Sequence, residues 1–261
     1  MGNVSERRKQ PPQVGVSVVI LALGPVPQSD VGAGAASSGM GSTLWMPLVK
    51  RVRQPFLGQW ALPGGGLRAD HSLEQSAYAA LESTTSLHPK YLEQLYTFGD
   101  PARSHGGLPM VSIVYWALVG DFAGGDNVKW FPVNHLPELA FDHRTIVEYA
   151  MNRLRGKIES PDIATRLVGE RFTLSQLHDV YEAIAGQRID LANFRRKMLA
   201  SGLLEDTGEK LRIGRNRPAA VYRYSRKPGT DLWTEAGTAS ESDDTRIAFQ
   251  DDDALSALMT A

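Results

Sequence analysis

The chain of 261 residues contains no cysteine, so disulfides, thiolate metal sites and a cysteine nucleophile are all excluded. It has no excess of charge of either sign: 28 Lys and Arg stand against 29 Asp and Glu, a formal net charge of −1. An overall attraction to polyanions or polycations is therefore absent, and any such partner must be met by a local patch. No apolar run is long enough to cross a bilayer. The longest, VGVSVVILAL at 14–23, follows Arg7, Arg8 and Lys9 and so loosely mimics a secretory signal. Its Val and Ile content, and the Pro11–Pro12 pair that separates it from the basic residues, favour a buried strand instead. There is no internal repeat.

What is present divides into four stretches. Residues 1–12 read as a disordered arm and 13–157 as a ligand-binding α/β domain; 158–227 read as a smaller helical module with a hairpin, and 228–261 as a disordered tail. Strands are expected at 14–23, 44–50, 112–120 and 127–133, and helices at 72–86 and 142–157. Gly, Ser and Pro at 24–42 predict a flexible loop. The segment ESPDI near residue 160 reads as a linker, and YTFGDPARSHGGLP at 96–109 as a turn-rich loop. The tail carries eight acids against one base, Arg246, the composition of a solvated segment.

Within the first domain, Gly64, Gly65 and Gly66 permit a tight turn and close approach of a ligand to the backbone. Ser72 with Gln75 fits a capping box that opens a helix. The string PFLGQWALPGGG followed by that helix resembles the Nudix family. With Gly65 as the signature glycine, the family's first glutamate falls on His71 and its Arg-Glu pair on Ala79 and Ala80. Its Glu-Glu pair falls on Ser83 and Thr84, and its late glycine on Ser86. In the family, carboxylates at 80, 83 and 84 share one helical face and hold Mg²⁺ against a diphosphate. Here that face carries Ala80, Ser83 and Thr84, so the resemblance implies a domain that binds its ligand without hydrolysing it.

The residues that could hold such a ligand are Arg51 and Arg53 for phosphate oxygens and Phe56 and Trp60 for stacking on a base. Gly64 and Gly65 allow backbone approach, and Asp100 and Arg103 stand in the turn-rich loop beside His105. For any one of them taken singly, a surface charge or a core aromatic is the better reading. As a set, LYTFGDPAR, SIVYWALV and LAFDHRTIVEYAMNRLR resemble one Nudix subgroup, the NrtR-type transcriptional regulators of NAD metabolism. The resemblance implies ADP-ribose or a related nucleotide as effector, with neither metal nor cofactor, and a homodimer.

In the second module, Thr173 and Gln176 fit another capping box, with Phe172 and Leu177 at the staple positions. Leu174, Leu177, Tyr181 and Ile184 make one apolar face, and Gly186 ends the helix. Asp190 caps the next helix, whose inward side is Leu191, Phe194 and Met198, leaving Asn193, Arg195, Arg196 and Lys197 outward. A hairpin around GEKLRIGRNRP completes a winged helix-turn-helix. From Gly186 to Lys227 eleven bases face four acids, the electrostatic footprint of a phosphate-backbone binder. The DNA-contact set expected from this pattern is Thr173, Gln176, Arg188, Asn193, Arg195, Arg196 and Lys197, with Arg215 and Arg217 on the wing. The same surface could instead pack on a protein partner or on the acidic tail.

The fold class expected is thus a Nudix-like α/β/α sandwich followed by a winged helix-turn-helix. The function expected is a cytoplasmic, nucleoid-associated repressor of NAD biosynthesis or salvage genes. It would bind a palindromic double-stranded DNA operator, with no membrane association. The alternatives are a Mg-dependent hydrolase of ADP-ribose or NAD(H) with an accessory nucleic-acid module, and a pure interaction adaptor.

Overall fold

The computed structural model describes residues 12–27, 41–89, 92–104, 109–120, 122, 124–125, 127–158, 161–212 and 217–225. The expected N-terminal arm (residues 1–11), most of the 24–42 loop, His105, Arg215 and the acidic tail lie outside them. The chain divides into two compact units, Met1–Leu154 and Arg155–Ala261.

In the first unit, strand β1 (Gln13–Pro25) is the centre of a seven-stranded mixed sheet. Its continuous apolar run explains this position, because a strand covered on both faces cannot alternate. Val16, Val18 and Ile20 pack under helix α1 (Leu73–Thr85) with Ala77, Ala80 and Leu81. Val19 and Leu21, which point the other way, are equally buried. Strand β6 (Met110–Val119) runs parallel to β1, and β2 (Ser42–Lys50) pairs with its C-terminal half in antiparallel fashion. The short β3 (Trp60–Ala61) and β7 (Val128–Pro132) flank β2, and β5 (Glu93–Phe98) is the far edge beside β6. Helix α2 (His143–Gly156) buries Ile146, Val147, Ala150, Met151 and Leu154 along one stripe.

Two expectations are corrected in this unit. Gly64–Gly66 is not a bare turn but strand β4, paired antiparallel with Gly15–Ser17 of β1. A Cβ on Gly64 would lie 2.5 Å from the Val16 carbonyl oxygen, so the close pairing itself requires glycine there. Tyr96–Phe98 belong to β5, and Pro101–Ser104 form a 3₁₀ turn. The capping box Ser72–Gln75 is formed, with both hydrogen bonds present.

In the second unit, α3 (Pro161–Val168) begins within the segment read as a linker: Pro161 sits at the first helical position, where its missing N–H costs nothing. Then come β8 (Phe172–Thr173), α4 (Leu174–Ala185), α5 (Leu191–Ala200), β9 (Leu204–Leu211) and β10 (Ala219–Tyr224). The three strands pair in the order β8-β10-β9. Helix α4 opens on the Thr173–Gln176 capping box and closes at Gly186, whose φ is 71°. Leu177, Val180, Tyr181, Ile184, Phe194 and Met198 form the buried seam of the helix pair. Among the described residues no helix is long and apolar enough to cross a membrane.

Candidate ligand cavity and nucleic-acid interface

A cavity of about 660 Å³ opens in the first unit between β1, β4, the loop after β2, the start of β6 and Phe141–His143. Its size lies within the range of about 300–1,000 Å³ usual for small-molecule sites. Of the eight residues expected to meet a ligand, Arg51, Gly64, Gly65 and Arg103 line it.

Arg51 leaves the end of β2 and its guanidinium lies 4.5 Å from the centroid of the Phe141 ring. Its Nε donates to the Pro55 carbonyl at 2.9 Å and Nη2 to the Arg53 carbonyl at 3.4 Å. Partial burial lowers its pKa from the usual guanidinium value. Among the described residues no carboxylate pairs with it, so its charge is available to an anion in the cavity.

Arg103 also lines the cavity, but its guanidinium is already engaged within the protein. Its Nε and Nη2 donate to the two Asp142 oxygens at 2.8 and 2.9 Å. Nη1 reaches the Phe98 and Met110 carbonyls and the Ser112 hydroxyl. With the side chain 6% exposed, this arginine clamps β5, β6 and the start of α2 together rather than reaching for a ligand. Burial pushes the Asp142 carboxyl up, but the hydrogen bonds and charge of Arg103 outweigh that and hold it below the ordinary carboxylate value.

The remaining four expected residues lie outside the cavity lining. Phe56 packs edge-on against Phe141 at 4.8 Å, behind the wall, and Trp60 packs against Phe131 at 5.0 Å. Arg53 is exposed. The Asp100 carboxylate accepts from the Ala102 N–H at 2.7 Å and so caps the 3₁₀ turn.

One wall residue was not singled out from the sequence. His143, 7% exposed, accepts the Leu62 N–H on Nδ1 at 3.0 Å. Burial pushes its pKa down to about 4, so the ring is neutral near pH 7. A histidine inside an amphipathic helix pattern gives no sign of such a partner, 81 residues away; only the fold supplies it.

On α1, the face that would hold a metal in a hydrolase is internally satisfied. Ser83 Oγ and Thr84 Oγ1 both donate to the Ala80 carbonyl, at 3.1 and 2.6 Å. Glu82 pairs with His88 instead. Among the described residues, the group of metal-ligating side chains that does cluster is His178, Asp179 and Glu182 on α4. Its atoms are already engaged: Glu182 accepts from the Ile189 N–H and from Arg188, and His178 Nε2 bonds the Ile189 carbonyl at 2.8 Å. The cluster locks the turn between α4 and α5.

On the second unit, Arg195, Arg196 and Arg188 are exposed, and Asn193 and Lys197 are half-buried beside them. Arg195 reaches the Ser175 hydroxyl at 3.0 Å and Arg196 the Asn193 side-chain oxygen at 2.8 Å. Among the described residues these partners are neutral, and no acid pairs with either arginine. Arg188 is paired with Glu182 at 3.2 Å but is 82% exposed. Arg217 is exposed at the start of the returning wing strand, and Arg215 lies outside the described residues. Thr173 is a correction: it is 1% exposed and its hydroxyl accepts from the Gln176 N–H, so it serves the helix start, not a contact surface. The Gln176 side-chain oxygen likewise accepts from the Thr173 N–H. Arg223 and Arg171 are matched by Glu205 and Glu209 along the wing.

These features define a Nudix-type α/β domain joined to a winged helix-turn-helix. The family model of the NrtR DNA-binding winged helix domain matches residues 164–224. The chain is 31% identical over 188 residues to the ADPR responsive transcriptional repressor NtrR of Acinetobacter baylyi, covering 68% of this chain and 74% of that one. Over 114 residues it is 35% identical to an ADP-ribose pyrophosphatase of Methanocaldococcus jannaschii, covering 42% and 67% respectively. The crystal structure of Shewanella oneidensis NrtR complexed with a 27mer DNA is similar at a TM-score of 0.62 and 34% identity, over 81% of this chain and 93% of that one. The chain belongs to the NrtR family of transcriptional regulators.

Proposed function

We propose that the protein is a repressor of NAD biosynthesis or salvage genes. It binds a palindromic operator as a homodimer in the cytoplasm, and ADP-ribose or a closely related nucleotide releases it without being hydrolysed. One observation carries the reading of the first unit. Among the described residues the cavity presents an arginine with no carboxylate partner, Arg51, while its one lining carboxylate, Asp142, is bound by Arg103. Such a lining favours an anionic ligand and offers no free carboxylate to a metal. The name of the Acinetobacter relative supports ADP-ribose as effector, and the DNA complex of the Shewanella relative supports the winged helix as the DNA-binding part. Two recognition helices of a dimer would enter major grooves roughly 34–36 Å apart.

The Methanocaldococcus relative favours a second reading, hydrolysis of ADP-ribose. Incubation with ADP-ribose and Mg²⁺ or Mn²⁺ separates the two. The repressor reading expects intact ADP-ribose. Steady production of AMP, abolished by substitutions within residues 71–84, would establish the hydrolase.

A further inference from the structure

His143 lies in the cavity wall, within the string LAFDHRTIVEYAMNRLR, but no ligand role was expected of it. The Leu62 N–H donates to its Nδ1 at 3.0 Å, so that nitrogen carries no proton. In a neutral ring the proton is then on Nε2, which makes Nε2–H a fixed donor. Its sequence neighbour Asp142 does not compete for that proton, because both Asp142 oxygens accept from Arg103. Among the described residues nothing accepts from Nε2–H, and the little of His143 that is exposed belongs to the cavity lining. Ring rotation is restricted by Leu62 on one side and by Phe141, 5.4 Å between centroids, on the other. Phe141 itself holds a φ of 56°, a backbone conformation that a bulky residue adopts only under constraint, and such strain gathers at ligand sites.

We infer that His143 is the uncharged hydrogen-bond donor that reads a phosphate oxygen of the bound nucleotide, its ring held for this by the Leu62 backbone. The assignment rests on the proposed nucleotide binding in this cavity. Arg51 supplies the net positive charge of the lining, which draws the anionic part of a ligand to this wall. A neutral donor beside two guanidinium groups adds a directed contact without adding repulsion. Burial, with the charges of Arg103 and Arg51, keeps the ring uncharged. With no acceptor for Nε2–H among the described residues, an oxygen of a ligand in the cavity can meet it without displacing a protein contact.

Two substitutions separate the two nitrogens. His143→Asn places an amide oxygen near the Nδ1 position and keeps an acceptor for Leu62, but removes the Nε2 donor. His143→Gln places an amide N–H near the Nε2 position and removes the acceptor. Calorimetric titration of the full chain with ADP-ribose and with inorganic pyrophosphate reads the result. For His143→Asn both dissociation constants should rise by about tenfold to a hundredfold, the loss of one charge-assisted hydrogen bond. Its ligand-free melting temperature and DNA affinity should stay at native values. For His143→Gln, affinity should stay near native while the melting temperature falls. Native affinity in His143→Asn overturns the inference, as does a loss seen with ADP-ribose but not with pyrophosphate. If the native chain binds neither probe, the nucleotide reading of the cavity falls and takes this inference with it.

Discussion

At His143 a backbone N–H fixes a side chain that burial keeps neutral. With a folded pKa of about 4 against 6.5 for the free side chain, the unfolded chain binds the proton more readily between these values. The stabilisation from keeping this group neutral is therefore fully present above pH 6.5 and is lost as pH falls towards 4, by up to about 3 kcal/mol. Thermal melts from pH 7 to 4.5 should show this decline. In His143→Asn the decline should be shallower, and an unchanged slope would assign it to other groups. The Arg103–Asp142 pair makes a second prediction. Arg103→Ala strands the Asp142 carboxylate in a largely dry setting and should cost about 3–5 kcal/mol in denaturant unfolding. Arg103, Thr173 and Asp100 show where the sequence misleads. Each has the right chemistry for a contact, but its polar atoms are engaged within the fold: for Thr173 and Asp100 by a local cap, for Arg103 by Asp142, 39 residues away.

Among the elements, those with local causes were legible. Both capping boxes are spelled by residues three apart, and the central strand announces itself by a continuous apolar run. Replacing Ser72 or Thr173 by Ala should each cost about 1 kcal/mol. The glycine strand was not legible, because three glycines read equally as a turn and only the β1 register makes them a strand. Gly64→Ala should drive a methyl onto the Val16 carbonyl, spread β4 from β1 and weaken ligand binding with a loss of about 1–3 kcal/mol in stability. Gly66→Ala meets no protein atom and should leave the melting temperature intact. If both variants behave alike, the close approach at Gly64 is not the constraint. Strand β5 was hidden for a related reason: its exposed, polar edge carries too little alternation to stand out from the turn that follows.

On the scale of the whole chain, a near-neutral protein sets two arginines that have no acidic partner among the described residues side by side on one short helix. The wing differs: Arg223 and Arg171 are neutralised by acids of β9, whereas Arg195 and Arg196 lean on neutral partners. The composition showed the basic module but could not sort paired bases from free ones. Arg196→Ala should weaken operator binding and flatten the salt dependence by about one unit of log–log slope, whereas Glu82→Ala, in the other unit, should change neither. The account as a whole joins an anion-binding cavity without free carboxylates to a DNA-binding surface. Fluorescence anisotropy of a labelled fragment from upstream of an NAD biosynthesis operon, titrated with ADP-ribose in the presence of EDTA, tests that join most directly. ADP-ribose should displace the protein from the fragment at saturable concentrations without any metal, and should be recovered uncleaved; DNA binding that stays the same at saturating ADP-ribose, or that responds only when a divalent metal is restored, would contradict it.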